Sequence, residues 1–390
     1  MTNEQSPVTG GDGLRILHLV DGLRVGGAEK LIVTFARELR HHPDHLTIVS
    51  LQRNVPAMRT AVEAAGAQVI PLHSKKLINP RRFQKLWQLV RREQFAVIHT
   101  HLTAANILGG FVGRLTGTPV VTTLHNTRLI SQQHFYHGRL ENWVLTHLTT
   151  QVIGVGWQVA ATHQARLGLD NIMVLPNAVA LPPPLTAVER ARVRASLVDD
   201  PEAVILLAVG RLRPQKGFLD LLTAFAQVHQ NNPCTRLLIA GKGEEADVLS
   251  AKIAELGLEQ STRLLGLRHD VPDLLGASDI YVSAAHWEGL PISMLEAMAA
   301  GRPCVVTAVG DVSRVMDESM GVVLPPRQPQ LLADALQRLI EAPESWPVLG
   351  AAARQKVAAA YSADVWTEKQ LALYRELARE KRPPVTAVHS

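Results

Sequence analysis

The chain carries Asp279-Ile280-Tyr281-Val282-Ser283 and, one residue on, Ala285-His286-Trp287-Glu288-Gly289-Leu290-Pro291-Ile292-Ser293-Met294-Leu295-Glu296-Ala297-Met298-Ala299-Ala300-Gly301, followed by Pro303-Cys304-Val305-Val306. The two apolar runs read as buried strands. Pro291 suits the first turn of a helix, where a missing N–H costs nothing. Residues 292–300 have high helix propensity, and Gly301 suits the stop. The unit is therefore strand–loop–helix–strand. It sets Glu288 in the loop before the helix and Glu296 in the helix's second turn. The free N–H groups within Gly289 to Ser293, Pro291 having none, lie between them and make a natural seat for a phosphate. Taken alone, the pair fits a helix with one capping and one surface carboxylate as well as it fits a site.

The same alternation runs outward in both directions. Towards the N-terminus, strands are expected at 15–20, 46–51, 68–72, 95–100, 120–124, 151–155 and 172–175. Helices are expected near 28–40, 55–65, 80–93 and 104–115. A proline cluster at 176–184 interrupts the pattern. After a helix at 187–197 it restarts, with strands at 204–209, 235–240, 263–265, 279–283, 303–307 and 321–324. Three helices in series close the chain, at 330–341, 347–360 and 363–381. Short strands spaced by helices make mostly parallel, doubly wound sheets, which bind ligands at the carboxyl ends of their strands. The expected organisation is a tail at 1–13, one α/β domain at 14–180, a second at 181–362, and a last helix and tail at 363–390.

Length and composition agree. A chain of 390 residues exceeds one ordinary core, and 46% hydrophobic content with mean hydropathy +0.06 is globular. No run reaches the roughly 18–20 apolar residues that span a bilayer. Residues 1–13 lack the apolar segment of a signal peptide, so a cytoplasmic location is expected. The two cysteines, Cys234 and Cys304, stand beside or within expected strands and read as small core residues. The net charge of +5 is uneven, with residues 1–180 carrying +8 and the remainder −3. A basic half points to an anionic ligand or surface.

Four further features bear on chemistry. Gly22-Leu23-Arg24-Val25-Gly26-Gly27 is a glycine-rich turn between strand and helix, able to bring Gly26 and Gly27 amides close to a phosphate. It has neither the dinucleotide nor the Gly-Lys-Ser/Thr spacing. Arg211 and Lys216 follow the first strand of the second half, where a guanidinium and an ammonium can neutralise a diphosphate. His99-Thr100-His101 and His125 stand at strand ends. His99 reads as a strand-face histidine and His125 as one that projects into the cleft, and no third residue with metal-ligand spacing accompanies the His-x-His. Asp-x-Asp is absent, so basic side chains and helix N-termini, not a divalent ion, would hold a diphosphate. Finally, Lys75, Lys76, Arg81, Arg82 and Lys85, with Trp87, belong to a basic stretch without an acid up to Arg92. This reads either as an interfacial helix on anionic lipid or acceptor, or as an ordinary helix with a solvated basic side.

In order and spacing, these elements resemble the family 4 retaining glycosyltransferases from about residue 14 to 375. Glu288 and Glu296 match the family's E-x7-E motif, Arg211 and Lys216 its basic pair, Gly26-Gly27 its first-domain loop, and His125 its central histidine. Asn177-Ala178 departs from the usual Asn-Gly of the linker turn. The resemblance implies the GT-B fold, with two Rossmann-like domains facing across a cleft and a last helix returning to the first domain. It implies that Glu296 binds the ribose hydroxyls of a nucleotide sugar and that Arg211 and Lys216 clamp its diphosphate. The backbone of Gly289, Leu290, Pro291 and Ile292, and the Gly26 and Gly27 amides, would approach the phosphates. Glu288 and His125 would face the sugar, and the backbone at Leu267-Arg268 would seat the base. The expected function is transfer from a UDP- or GDP-sugar, with retention and without a metal cofactor. The acceptor would be a carbohydrate or lipid-linked one, as in surface polysaccharide or lipopolysaccharide synthesis, on the inner membrane face. No nucleic-acid partner is expected. The alternatives are a nucleotide-sugar epimerase or phosphorylase on the same fold, or a non-catalytic sugar-nucleotide or membrane-binding module.

Overall fold

The structure is a computed structural model that describes residues 13–23, 27–74, 79–125 and 135–380. It divides into two compact units, one ending at Pro176 and resuming at Ala363, the other Asn177–Ser362.

The first unit is a parallel sheet of β1 (Arg15–Val20), β2 (His45–Ser50), β3 (Gln68–Pro71), β4 (Val97–His101), β5 (Val120–Leu124), β6 (Gln151–Gly154) and β7 (Ile172–Val174). The helices between them are α1 (Gly27–Leu39), α2 (Pro56–Ala64), α3 (Pro80–Glu93), α4 (Thr103–Thr116), α5 (Phe135–His147) and α6 (Trp157–Leu167). The strand order is β3-β2-β1-β4-β5-β6-β7, so the winding reverses between β1 and β4. Central strands such as β4 and β5 are buried along their whole length, which is why they read as continuous apolar and β-branched runs. Sequence reading did not assign α5 and α6, whose polar residues dilute the helical period.

The second unit repeats the plan. Its strands are β8 (Val204–Val209), β9 (Thr235–Ala240), β10 (Thr262–Gly266), β11 (Ile280–Ser283), β12 (Cys304–Thr307) and β13 (Gly321–Leu324), in the order β10-β9-β8-β11-β12-β13. Around them lie α7 (Ala187–Leu197), α8 (Phe218–Asn231), α9 (Ala246–Glu255), α10 (Val271–Ala277), α11 (Ile292–Ala299), α12 (Val312–Val315), α13 (Pro329–Ile340) and α14 (Trp346–Ala360). Asp279, just before β11, pins α7 to this sheet. It accepts from Arg194 at 2.9 Å, Arg190 at 2.5 Å and the Ile205 N–H at 2.8 Å.

The last helix, α15 (Ala363–Glu380), belongs to the first unit. Its Leu371, Leu373, Tyr374 and Leu377 join the core that contains Ile16, Phe35 and Val121. Among the described residues no helix is long and apolar enough to cross a membrane.

Two sequence expectations need correction. Cys304 is buried in β12, but Cys234 stands in the turn before β9 and is exposed, so only one cysteine is a core residue. Arg82 is not part of a solvated basic face. At spacing i, i+4, i+8 it lies on the same stripe of α3 as Leu86 and Val90, and that stripe is buried. The residue is 5% exposed and its guanidinium interacts with Asp21 just after β1, while burial lowers its pKa. Arg81 and Lys85 are exposed as expected. Trp87 is half-buried against the core with the Arg91 guanidinium 5.0 Å from its ring centre. Lys75 and Lys76 lie outside the described residues.

Candidate functional site

In the second unit the winding reverses between β8 and β11, and the loops leaving these two strands meet. The loop after β8 carries Arg211 and a single 3₁₀ turn, Pro214–Lys216. Gly217 ends that turn with φ 63°, a left-handed conformation natural to glycine. It also packs so closely on the Ala284 carbonyl that a Cβ would collide. Two hydrogen bonds fasten the turn to the loop after β11. The His286 N–H donates to the Gln215 carbonyl at 2.8 Å, and the Gln215 side chain donates to the Trp287 carbonyl at 2.9 Å. His286 is held in turn by Asp220 of α8 at 2.9 Å.

This fastening brings Lys216 Nζ to 2.5 Å from Glu288 Oε1, with the two side chains 18% and 14% exposed. Gly289 and Leu290 follow, then Pro291, which sits one residue outside α11 as its N-cap. Ile292 opens the helix, and Glu296 lies on its second turn, partly buried. Tyr281, whose hydroxyl burial makes harder to ionise, meets the Ser293 hydroxyl at 2.9 Å. Trp287, beside Glu288, is exposed.

Three supports of this loop escaped sequence reading. The Asn177 side chain, at the start of the unit, donates to the Leu290 carbonyl at 3.0 Å. The Asp311 N–H donates to the Gly289 carbonyl at 2.8 Å. Gly310, at φ 56°, presses on the Glu288 and Gly289 carbonyl oxygens, where a methyl group would overlap both. Gly310→Ala is therefore expected to cost about 3 kcal/mol, combining left-handed backbone strain with a backbone clash. A melting curve that falls by less than a degree would contradict this.

Leu267 and Arg268 stand apart. They follow β10, the sheet edge two strands from β8 and three from β11. Leu267 is exposed, and the Arg268 guanidinium is engaged by Asp270 at 2.8 Å. That pairing raises the Arg268 pKa and lowers that of Asp270. Gly26 lies outside the described residues, and Gly27 is the first residue of α1.

In the first unit the strand register assembles a cluster that sequence reading divided. His18 of β1 is the direct partner of His99 on β4, and His101 faces Thr123 of β5. Because side chains alternate along a strand, His18, His99 and His101 share one face. A third histidine therefore does join the His-x-His, with nitrogens of the three within 4.8 Å of one another. The signal was available, since a 3-2-1-4 order always sets the fourth strand against the first. Both nitrogens of His99 are already bonded, one to the Tyr374 hydroxyl of α15 and the other to the Thr123 hydroxyl at 2.7 Å. The group is thus a hydrogen-bonded column. It ends at His125, whose Nε2 lies 3.1 Å from His101 Nδ1. Burial lowers all four pKa values, His18 to about 3 and His125 to about 4, so the imidazoles are neutral at pH 7.

Two family models match the chain, Glycosyltransferase Family 4 over residues 25–181 and Glycosyl transferases group 1 over residues 189–356. Among characterised relatives is the UDP-Gal:α-D-GlcNAc-diphosphoundecaprenol α-1,3-galactosyltransferase of Escherichia coli. It is 29% identical over 267 residues, covering 66% of this chain and 69% of the relative. The α-D-kanosaminyltransferase of Streptomyces kanamyceticus is 27% identical over 320 residues, 75% of this chain and 81% of that one. Among solved structures, Anabaena HepE in complex with UDP and glucose superposes with a TM-score of 0.80 at 21% identity, covering 93% of this chain and all of HepE. The two model matches fall on the two α/β units and together span most of the sequence. The chain belongs to the family 4 glycosyltransferases and is an enzyme of the GT-B fold.

Proposed function

We propose that the enzyme moves a sugar, with retention of anomeric configuration, from a UDP- or GDP-sugar to a carbohydrate or lipid-linked acceptor in surface polysaccharide or lipopolysaccharide synthesis. The observation that carries this reading is the Lys216–Glu288 pair beside the N-terminus of α11, a cation and an anion held where a diphosphate and its sugar would meet. The names of the relatives support the substrate classes. The E. coli enzyme is a UDP-Gal transferase acting on a diphosphoundecaprenol-linked sugar, and HepE was solved with UDP and glucose.

In this reading Arg211, Lys216 and the amides at the start of α11 take the diphosphate and stabilise the charge of the departing group. Glu296 binds the ribose, and the backbone at Leu267-Arg268 seats the base. Glu288 lies along the sugar and stabilises positive charge developing at its anomeric carbon. The bond from that carbon to the phosphate oxygen breaks as the acceptor oxygen attacks on the same face, and the acceptor's proton passes to the leaving phosphate. The Gly26 and Gly27 amides approach the phosphates, and His125 contacts the sugar near the acceptor side. The charges needed come from the protein, so no divalent ion is required.

A thermal-shift series with UDP- and GDP-sugars tests the donor. At a hundredfold excess over Kd the true donor stabilises by about 2.7 kcal/mol, or roughly 5–10 °C. Transfer is expected to persist in EDTA and to fall at least about 10²-fold in Arg211→Ala. Full turnover in folded Arg211→Ala, or no shift with any nucleotide sugar, would sink the proposal.

A second reading concerns location. The exposed Arg81 and Lys85 of α3 favour an anionic membrane surface carrying the acceptor. Liposome flotation with and without anionic lipid, comparing wild type with Arg81→Glu/Lys85→Glu, is expected to show weaker binding of the variant. Equal flotation refutes the membrane role. Arg82 is unsuitable for this test because it is buried.

A further inference from the structure

The histidine column contains enough hydrogen bonds to count its protons. The Tyr374 hydroxyl donates to Gln370 Oε1 at 2.8 Å, so its oxygen is left to accept. It accepts from His99 Nδ1–H, and more weakly from His18 Nε2 at 3.3 Å. His99 therefore carries its proton on Nδ1, and its Nε2 accepts from the Thr123 hydroxyl. Each ring in this part holds one proton and has a use for it.

His101 is the next ring, tilted by 30° to His99 with centres 4.3 Å apart. Its Nε2 is buried with no partner, and its Nδ1 meets His125 Nε2. A neutral His101 has one proton for two nitrogens. On Nε2 it would be a buried N–H without an acceptor, which folded proteins almost never leave. On Nδ1 it is bonded, and only an acceptor lone pair stays unused, which is the smaller cost.

We propose that His101 donates from Nδ1 to His125 Nε2 and so holds His125 in the tautomer that carries its proton on Nδ1. His125 then meets substrate as a neutral hydrogen-bond donor, not as a proton acceptor. His101 is a positioning residue, and the functional half of this inference rests on the reading that His125 serves the transfer. A donor suits an oxygen of the sugar or the acceptor. It also leaves the acceptor's proton to the leaving phosphate, because His125 has no free basic nitrogen.

Long-range ¹H–¹⁵N spectra of the full chain at pH 7.5 read the tautomer directly, with the His125 signals identified by their loss in His125→Gln. The wild type is expected to show a protonated Nδ1 and a bare Nε2. In His101→Leu, which has no donor, the Nε2-protonated form gains. In His101→Asn, whose amide nitrogen can stand where Nδ1 was, the wild-type tautomer returns. Turnover follows the same order, with kcat about tenfold lower in His101→Leu, donor KM unchanged, and kcat restored in His101→Asn. Should His101→Leu fail to fold, the wild-type spectrum and His101→Asn still decide. A protonated Nε2 on wild-type His125, or no tautomer change in folded His101→Leu, overturns the inference. The expected tautomers with kcat unmoved in both His101→Leu and His125→Gln would instead refute the role of His125 in transfer.

Discussion

Glu288→Gln is expected to bind UDP more tightly than the wild type while transferring sugar far more slowly. The Lys216 ammonium sits 2.5 Å from the Glu288 carboxylate, both largely shielded from water. A diphosphate must take that ammonium from Glu288, and the incoming phosphates also meet the carboxylate's negative charge. The amide removes both penalties. A partly buried pair of this kind is worth about 1–2 kcal/mol net, well below its bare Coulomb energy, because desolvation offsets much of the attraction. UDP affinity, read by calorimetry, should therefore rise about five- to thirtyfold. Turnover should fall at least about 10²-fold, because the charge opposite the developing cation is gone. Lys216→Met should weaken UDP binding and also slow turnover, leaving Glu288 without its partner. The two effects should not add in the double variant, since the residues share one interaction. Unchanged or weaker UDP binding in Glu288→Gln would show that the pair does not compete with the phosphates.

Acid is expected to unfold the first unit well before the second. His18, His99 and His101 are buried and neutral, and burial depresses their pKa values below the unfolded histidine value of about 6.5. A group with a depressed folded pKa contributes stability that is complete above the unfolded pKa and is lost as pH falls towards the folded one. For His18 that window runs from about 6.5 to about 3. His18 costs about 1.4 kcal/mol per pH unit within that window and so removes about 2 kcal/mol by pH 5, and His99 and His101, depressed by burial in the same direction, add to the loss. A domain holds only about 5–15 kcal/mol in all, so a loss of this kind weighs on the first unit. Ring centres 4.3–4.9 Å apart leave no room for two imidazolium charges without further repulsion. Calorimetry should give transitions that separate between pH 7.5 and pH 5, the earlier one belonging to the first unit. A profile insensitive to pH across this range would contradict the picture.

Both sheets could be read from the sequence because parallel strands buried on two faces are short apolar runs, and helices of ordinary length separate them. Their strand order follows from winding rules. The Glu288 loop and the Arg211–Lys216 turn could be placed at strand ends for the same reason. What the sequence did not disclose depends on register and close packing. Lys216 and Glu288 stand 72 positions apart, and nothing local says that a glycine turned at φ 63° lets one reach the other. Gly310 is one of 27 glycines in sequence and becomes informative only when the oxygens beneath it are known. His18 is a lone histidine in an apolar strand, and only the pairing of β1 with β4 gives it neighbours. Arg82 was counted with its charged neighbours, although its helical position puts it with Leu86 and Val90.

Helix α15 has a consequence for how the molecule is made. Tyr374 and Gln370, which complete the imidazole column, leave the ribosome only after the whole of the second unit has been translated. At ordinary rates of synthesis, the first 176 residues wait roughly 10–40 s for them. During that time the surface that Leu371, Tyr374 and Leu377 will cover is open, with Phe35 and His99 among the residues beneath it. The second unit is continuous in the chain and can fold while the first is still unfinished. A nascent chain stalled before residue 363 should therefore present a native second unit behind a first unit that recruits chaperones, and release of the final helix is the event that ends that recruitment.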